Sequence, residues 1–140
     1  MEKQYQITLN EDQLNLISRS IDILARIKAG QLDVGLEDIL YEALLKQKYK
    51  GKLTDDFWDE RDEITEMLKA LKLKVWNQHY NASHGVNYSE ETDTMRDMHE
   101  VMRHVRWLES PTLQSYTVDA NPPFHWNKSV PLIKVKKISR

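Results

Sequence analysis

The stretch from Thr54 to His79 constrains the fold more than any other part of the chain. Phe57, Ile64, Leu68, Leu71 and Val75 recur at helical spacing, which predicts one long amphipathic helix from about Asp55 to His79. Asp55, Asp56, Asp59, Glu60, Asp62 and Glu63 crowd its first turns, and Lys69, Lys72 and Lys74 its end. Acid at the N-terminus and base at the C-terminus both complement the helix dipole. These charges therefore read as a stabilised solvent face, not as catalytic carboxylates. Thr54 stands where an N-cap belongs, and Arg61 is a lone cation among the acids.

The remaining segments must cover the apolar stripe of this helix. Gln4 to Leu9 alternates Tyr5, Ile7 and Leu9 with polar residues, the period of a half-buried strand. Asn10 and Gln13 make a capping-box pattern for a helix from Glu11 to about Ala29. Leu14, Ile17, Ile21, Leu24 and Lys28 follow one row of that helix, and Leu16, Ile23 and Ile27 a second. Two rows fit either a helix packed between a sheet and another helix or one row facing a second subunit. Gly30 is placed to end the helix as a C′ residue. Leu36 to Lys48 reads as another helix, followed by a basic turn, Lys48 to Lys52, of solvated lysines.

Tyr80 to Ser89 is a turn rich in Asn, Ser and Gly; Gly85 marks a positive φ or a close backbone approach. A fourth helix starts at Glu90 or Thr92 and runs to Leu108, with Met98, Val101 or Met102, Val105 and Leu108 as its buried stripe. Tyr116 to Asp119 and Pro131 to Ile138 read as strands, separated by the polar-aromatic loop Phe124 to Lys128. The expectation is a single α+β domain over residues 1–140, with four main helices on a small antiparallel sheet.

Composition narrows the chemistry. The chain of 140 residues has no cysteine, which excludes disulfides, thiolate nucleophiles and Cys-ligated zinc. A net charge of -2 argues against duplex nucleic acid as the partner. No apolar run approaches a membrane span, and the polar N-terminus predicts no signal peptide. Histidines 79, 84, 99, 104 and 125 include no i, i+4 pair, so no metal site is expected. There is no G-x-S-x-G, P-loop or G-x-G-x-x-G, so no catalytic residues or cofactor are assigned.

What remains is binding. Arg96, Arg103 and Arg106 lie along one helix, and guanidinium forks suit phosphate or carboxylate. Tyr80, Tyr88, Trp107, Phe124 and Trp126 offer faces for a base. The alternative is that the arginines pair with Glu100, Glu109 and Asp93 while the aromatics fill the core.

The order of local patterns adds to this. Ser18, Ile21 and Asp22 precede Ala25-Arg26-Ile27 and Gly30-Gln31; the turn Asn81 to Val86 follows. Then come Val101-Met102-Arg103-His104 ending in Trp107, and Thr117-Val118-Asp119 before a proline pair. In this order the chain resembles, over most of its length, a family of small phage proteins, the Thoeris anti-defence sponge proteins. The resemblance implies a non-catalytic protein of the host cytoplasm that sequesters a cyclic ADP-ribose-type nucleotide made by a TIR-domain enzyme. The Thoeris effector then stays silent. It further implies a homodimer or higher homo-oligomer, and a second site for a cyclic trinucleotide. The ligand-binding residues it implies are Asn81, His84, His99, Arg103, Arg106, Ser110, Thr117, Phe124, Trp126 and Asn127. Among these, Arg103, His99 and Ser110 to Thr117 would line the pocket, and Phe124 to Lys128 would close over it. The rival readings are a phage regulatory or protein-interaction module and a nucleotide-cleaving enzyme.

Overall fold

The computed structural model describes residues 2–109 and 121–138. Among them the architecture is helical throughout: α1 Glu11–Lys28, α2 Leu32–Ala43 running on into a π-helical turn Leu44–Lys48, α3 Asp55–Trp76 and α4 Glu90–Glu109. The chain divides into two compact units, one formed by Met1–Asp22 with Thr94–Arg140 and the other by Ile23–Asp93.

The expected antiparallel sheet is overturned, since no strand forms among the described residues. Residues 4–9 form no regular element, with Tyr5 85% and Ile7 74% exposed. Residues 131–138 are likewise irregular, while 116–119 lie outside the described residues. Alternation specifies only which side chains share a face. A strand also needs a neighbour to take its N–H and C=O groups and a surface to cover its apolar side. Tyr5 and Ile7 have neither.

The helix boundaries follow local chemistry. Asn10 and Gln13 exchange backbone-to-side-chain bonds at 2.8 and 3.0 Å, the expected capping box of α1. At the other end Gly30 takes φ 90, the Gln31 N–H reaches the Arg26 carbonyl at 2.8 Å and the Gly30 N–H that of Ile27 at 3.0 Å. This is a Schellman closure, which a residue with a Cβ rarely tolerates. Ser89 and Thr92 cap α4 reciprocally, the Ser89 N–H donating to Thr92 Oγ1 at 2.8 Å and the Thr92 N–H to Ser89 Oγ at 3.2 Å. Thr54 accepts from the Phe57 N–H at 3.2 Å and starts α3, which ends at Asn77 in the left-handed region, φ 50.

In the Ile23–Asp93 unit, α2 packs on α3 around Phe57, Leu68 and Leu32. α2 begins four residues before the predicted Leu36, so Gly35 lies inside it. A Cβ at Gly35 would meet Ile27 Cγ1 at 3.0 Å, so glycine permits this close crossing. Arg61, the cation among acids, lies between the rings of Tyr41 and Trp58, 5.3 and 4.7 Å from their centroids, and reaches Asp62 at 3.2 Å.

Lys72 departs from its expected place on a solvent face. It is fully buried, pairs with Asp33 at 3.1 Å and donates to the Ala82 carbonyl. The turn after α3 is tied down in several further places. Gln78 donates to the His84 carbonyl and Gln31 to the Ser83 carbonyl at 2.6 Å. The Val86 and Asn87 amides both reach the Ala29 carbonyl, at 2.8 and 3.2 Å. Gly85 allows this closeness, because a Cβ there would sit 3.0 Å from Ala29 Cβ.

Candidate functional site

In the unit formed by residues 1–22 and 94–140, α4 carries a row at every third position: Thr94, Asp97, Glu100 and Arg103. Three-residue steps turn back about 60° each on a helix, so the row winds diagonally across its surface. The loop from Asn121 follows it. Asp97, buried, accepts from the Trp126 N–H at 2.7 Å and the Asn127 N–H at 3.0 Å. Glu100 accepts from the Phe124 N–H at 2.9 Å and, more loosely, from the Trp126 indole N–H at 3.4 Å. Asn127 donates to Thr94 Oγ1 at 2.9 Å, and its own carbonyl oxygen takes Ser129 Oγ at 2.7 Å. His125 donates to the Val130 carbonyl at 2.7 Å with Asp97 3.9 Å away. Backbone N–H groups that a short loop cannot pair with itself are thus met by two carboxylates.

Above this clasp four side chains lie in sequence. The Arg96 guanidinium sits 4.3 Å from the Trp126 ring, Trp126 is 4.6 Å from Phe124 at 54°, and Lys128 Nζ is 5.5 Å from Phe124. The aromatic ring quadrupole attracts a cation at each end. Beside them opens a cleft of about 260 Å3, lined by Glu100, Arg103, Asn121, Pro122, Pro123 and Phe124. A guanidinium, a carboxylate, an aromatic side chain and an amide border one space.

The implied ligand residues are distributed as follows. Arg103 and Phe124 meet at the cleft; Trp126 stands behind Phe124. Asn127 is buried and engaged in the loop's own bonds. Arg106 is exposed near the end of α4. His99 is turned to α1, its Nδ1 3.0 Å from both Ser18 Oγ and the Ser18 carbonyl and its Nε2 3.9 Å from Asp22. Asn81 and His84 belong to the Ile23–Asp93 unit and are exposed on its turn. Ser110 and Thr117 lie outside the described residues.

Ser18, His99 and Asp22 have the composition of a hydrolase triad but not its chemistry. The Nε2 of His99 is 3.9 Å from Asp22, beyond hydrogen-bond reach, so the third group does not orient the imidazole as a triad requires. Ser18 is also 0% exposed, out of reach of any substrate. Among the described residues no cluster of three or more His, Cys, Asp or Glu is arranged to hold a metal ion. No described helix is long and apolar enough to cross a membrane.

The sequence reading did not single out Asp97 and took Glu100 only as a partner for arginine. Their signal was present as acids on the buried side of an amphipathic helix, opposite a loop whose prolines leave few ways to pair its amides. Of the arginines, Arg96 lies on the Trp126 ring. Glu109 pairs with Lys137 at 2.9 Å, and the hydrogen bond raises the lysine's pKa. No family model matches the chain, and neither a curated protein nor a solved structure matches it.

Proposed function

We propose that this chain is a capture protein that binds a small nucleotide anion of the cyclic ADP-ribose type and releases it unchanged. The observation that carries the reading is the meeting of Arg103 and Phe124 on one cleft. Arg103 supplies a planar fork for a phosphate, and Phe124 a face for a base. Glu100 lies on the same cleft, and the N–H groups of Phe124 and Trp126 point at its carboxylate. That leaves its charge less able to repel an anion. The cleft of about 260 Å3 is smaller than the pockets that enclose a whole drug-sized ligand. It accordingly takes one nucleotide half of the ligand and leaves the other outside.

The resemblance to the anti-defence sponge proteins supplies the biological sense. A phage protein holding such a signal in the host cytoplasm would keep the effector silent without turnover. The complete burial of Ser18 supports binding over cleavage. Leu16 and Ile17 on α1, 65% and 39% exposed, offer apolar surface to a second copy of the chain.

The test is depletion followed by release. Purified protein is mixed with the cyclic ADP-ribose isomer, the free ligand is measured after ultrafiltration, and the retained fraction is heated. Capture predicts loss of free ligand and recovery of intact ligand on heating. A linear product in the filtrate makes the protein an enzyme; an undiminished free ligand makes it an interaction module with no such ligand.

A further inference from the structure

We infer that the loop of residues 121–130 is a preformed stacking platform on which Phe124 receives the base, with Trp126 as the residue that holds Phe124 in position. This rests on the capture reading above and replaces the expectation that Phe124 to Lys128 closes over the ligand. An arm that swings must give up its hydrogen bonds each time it moves. Here the amides of Phe124, Trp126 and Asn127 donate at 2.9, 2.7 and 3.0 Å to carboxylates fixed on α4, one of them on the buried Asp97. Releasing the loop would strand that carboxylate.

The two rings of the platform differ in what they can still do. Trp126 has Arg96 4.3 Å from its ring, its indole N–H directed at Glu100 and Phe124 at its side. Its neighbours already engage it from three directions. Phe124 is 57% exposed and borders the cleft beside Arg103. The Lys128 ammonium lies 5.5 Å from its ring, on an exposed side chain. Stacking of a base on an aromatic ring outweighs one exposed cation–ring contact. A base therefore displaces Lys128, whose ammonium moves to the phosphate that Arg103 also holds. The platform reads one base and the phosphate next to it. Stacking tolerates many bases, so the ring linkage of the ligand is recognised elsewhere.

Two measurements test this together. Amide hydrogen exchange on the ligand-free protein is expected to show Phe124, Trp126 and Asn127 protected; exchange at the rate of an unfolded peptide would mean a mobile lid and overturn the inference. Calorimetric titration of the cyclic ADP-ribose isomer then compares wild type with Phe124→Leu and Phe124→Tyr. We expect Phe124→Leu to bind at least about tenfold more weakly and Phe124→Tyr to bind within about threefold of wild type. Undiminished binding by Phe124→Leu overturns the stacking assignment and leaves the capture reading standing. A wild type that binds nothing, with protected amides, removes the capture reading and the stacking assignment with it. Phe124 is exposed, so neither substitution should disturb folding, which circular dichroism checks.

Discussion

Replacing Lys72 by methionine should be among the most damaging single changes in the Ile23–Asp93 unit, although the side chain touches no candidate ligand residue. Lys72 is 0% exposed and Asp33 6%, so the variant leaves a carboxylate buried without its partner 3.1 Å away. It also takes the donor from the Ala82 carbonyl. Removing one member of a buried pair costs about 3–5 kcal/mol, because the remaining charge stays desolvated. For a domain of this size about 3 kcal/mol lowers the melting temperature by roughly 12–24 °C. Replacing both members, Lys72→Met with Asp33→Leu, should recover most of the loss, since apolar groups of similar volume substitute for buried pairs at little cost. Urea denaturation followed by circular dichroism on the two single variants and the double variant closes a thermodynamic cycle. If Lys72→Met loses less than about 1 kcal/mol, the pair is not buried as described. If the double variant is as damaged as the sum of the singles, Lys72 and Asp33 do not act as a pair.

Three further outcomes follow from local geometry. Gly85→Ala should cost about 1–3 kcal/mol, because the new Cβ meets Ala29 Cβ at 3.0 Å and pushes the turn away from the Ala29 carbonyl; unchanged thermal stability would contradict that crowding. Thr54→Ala removes the acceptor of the Phe57 N–H and should cost about 1 kcal/mol in urea titration, while Thr54→Ser should cost little. The Tyr49 hydroxyl donates to the Glu60 carboxylate, which pushes its pKa up to about 12 from 10.0. A raised folded pKa means a contribution that is complete below pH 10 and fades as pH rises through about 12. Tyr49→Phe should therefore be less stable than wild type near neutral pH and approach it in strong alkali; a gap independent of pH would refute the bond. Glu60, whose pKa is lowered by its bonds from Lys48 and Tyr49, gives the opposite window, stabilising above the ordinary glutamate value of 4.5 and losing that effect as pH falls.

The helices were legible because their signals are local. Asn10 with Gln13, Gly30, and Thr54 each declare a helix end within a few residues, and the structure uses all three. The sheet was misread because alternation at Tyr5, Ile7 and Leu9 says nothing of a partner strand, and none of the described segments supplies one. Lys72 was misread for a related reason. Its charge fits the end of a helix, while the acid that buries it lies 39 positions earlier in sequence. At the candidate site Arg103 and Phe124, both named from the resemblance, border one cleft, while Asp97 was not singled out and Glu100 was taken only as a partner for arginine. Long-range polar pairing is set by three-dimensional contact, which residue type alone does not encode.

The most direct measurement of the capture account is a calorimetric titration of the cyclic ADP-ribose isomer into wild type and Arg103→Ala side by side. A bidentate guanidinium contact carries about 1.5–3 kcal/mol per charged hydrogen bond, so its loss should weaken binding by about 100-fold or more. Saturable binding by wild type, with that loss in a folded Arg103→Ala, is the predicted result. Equal binding by the two proteins, or no heat from either, would contradict it.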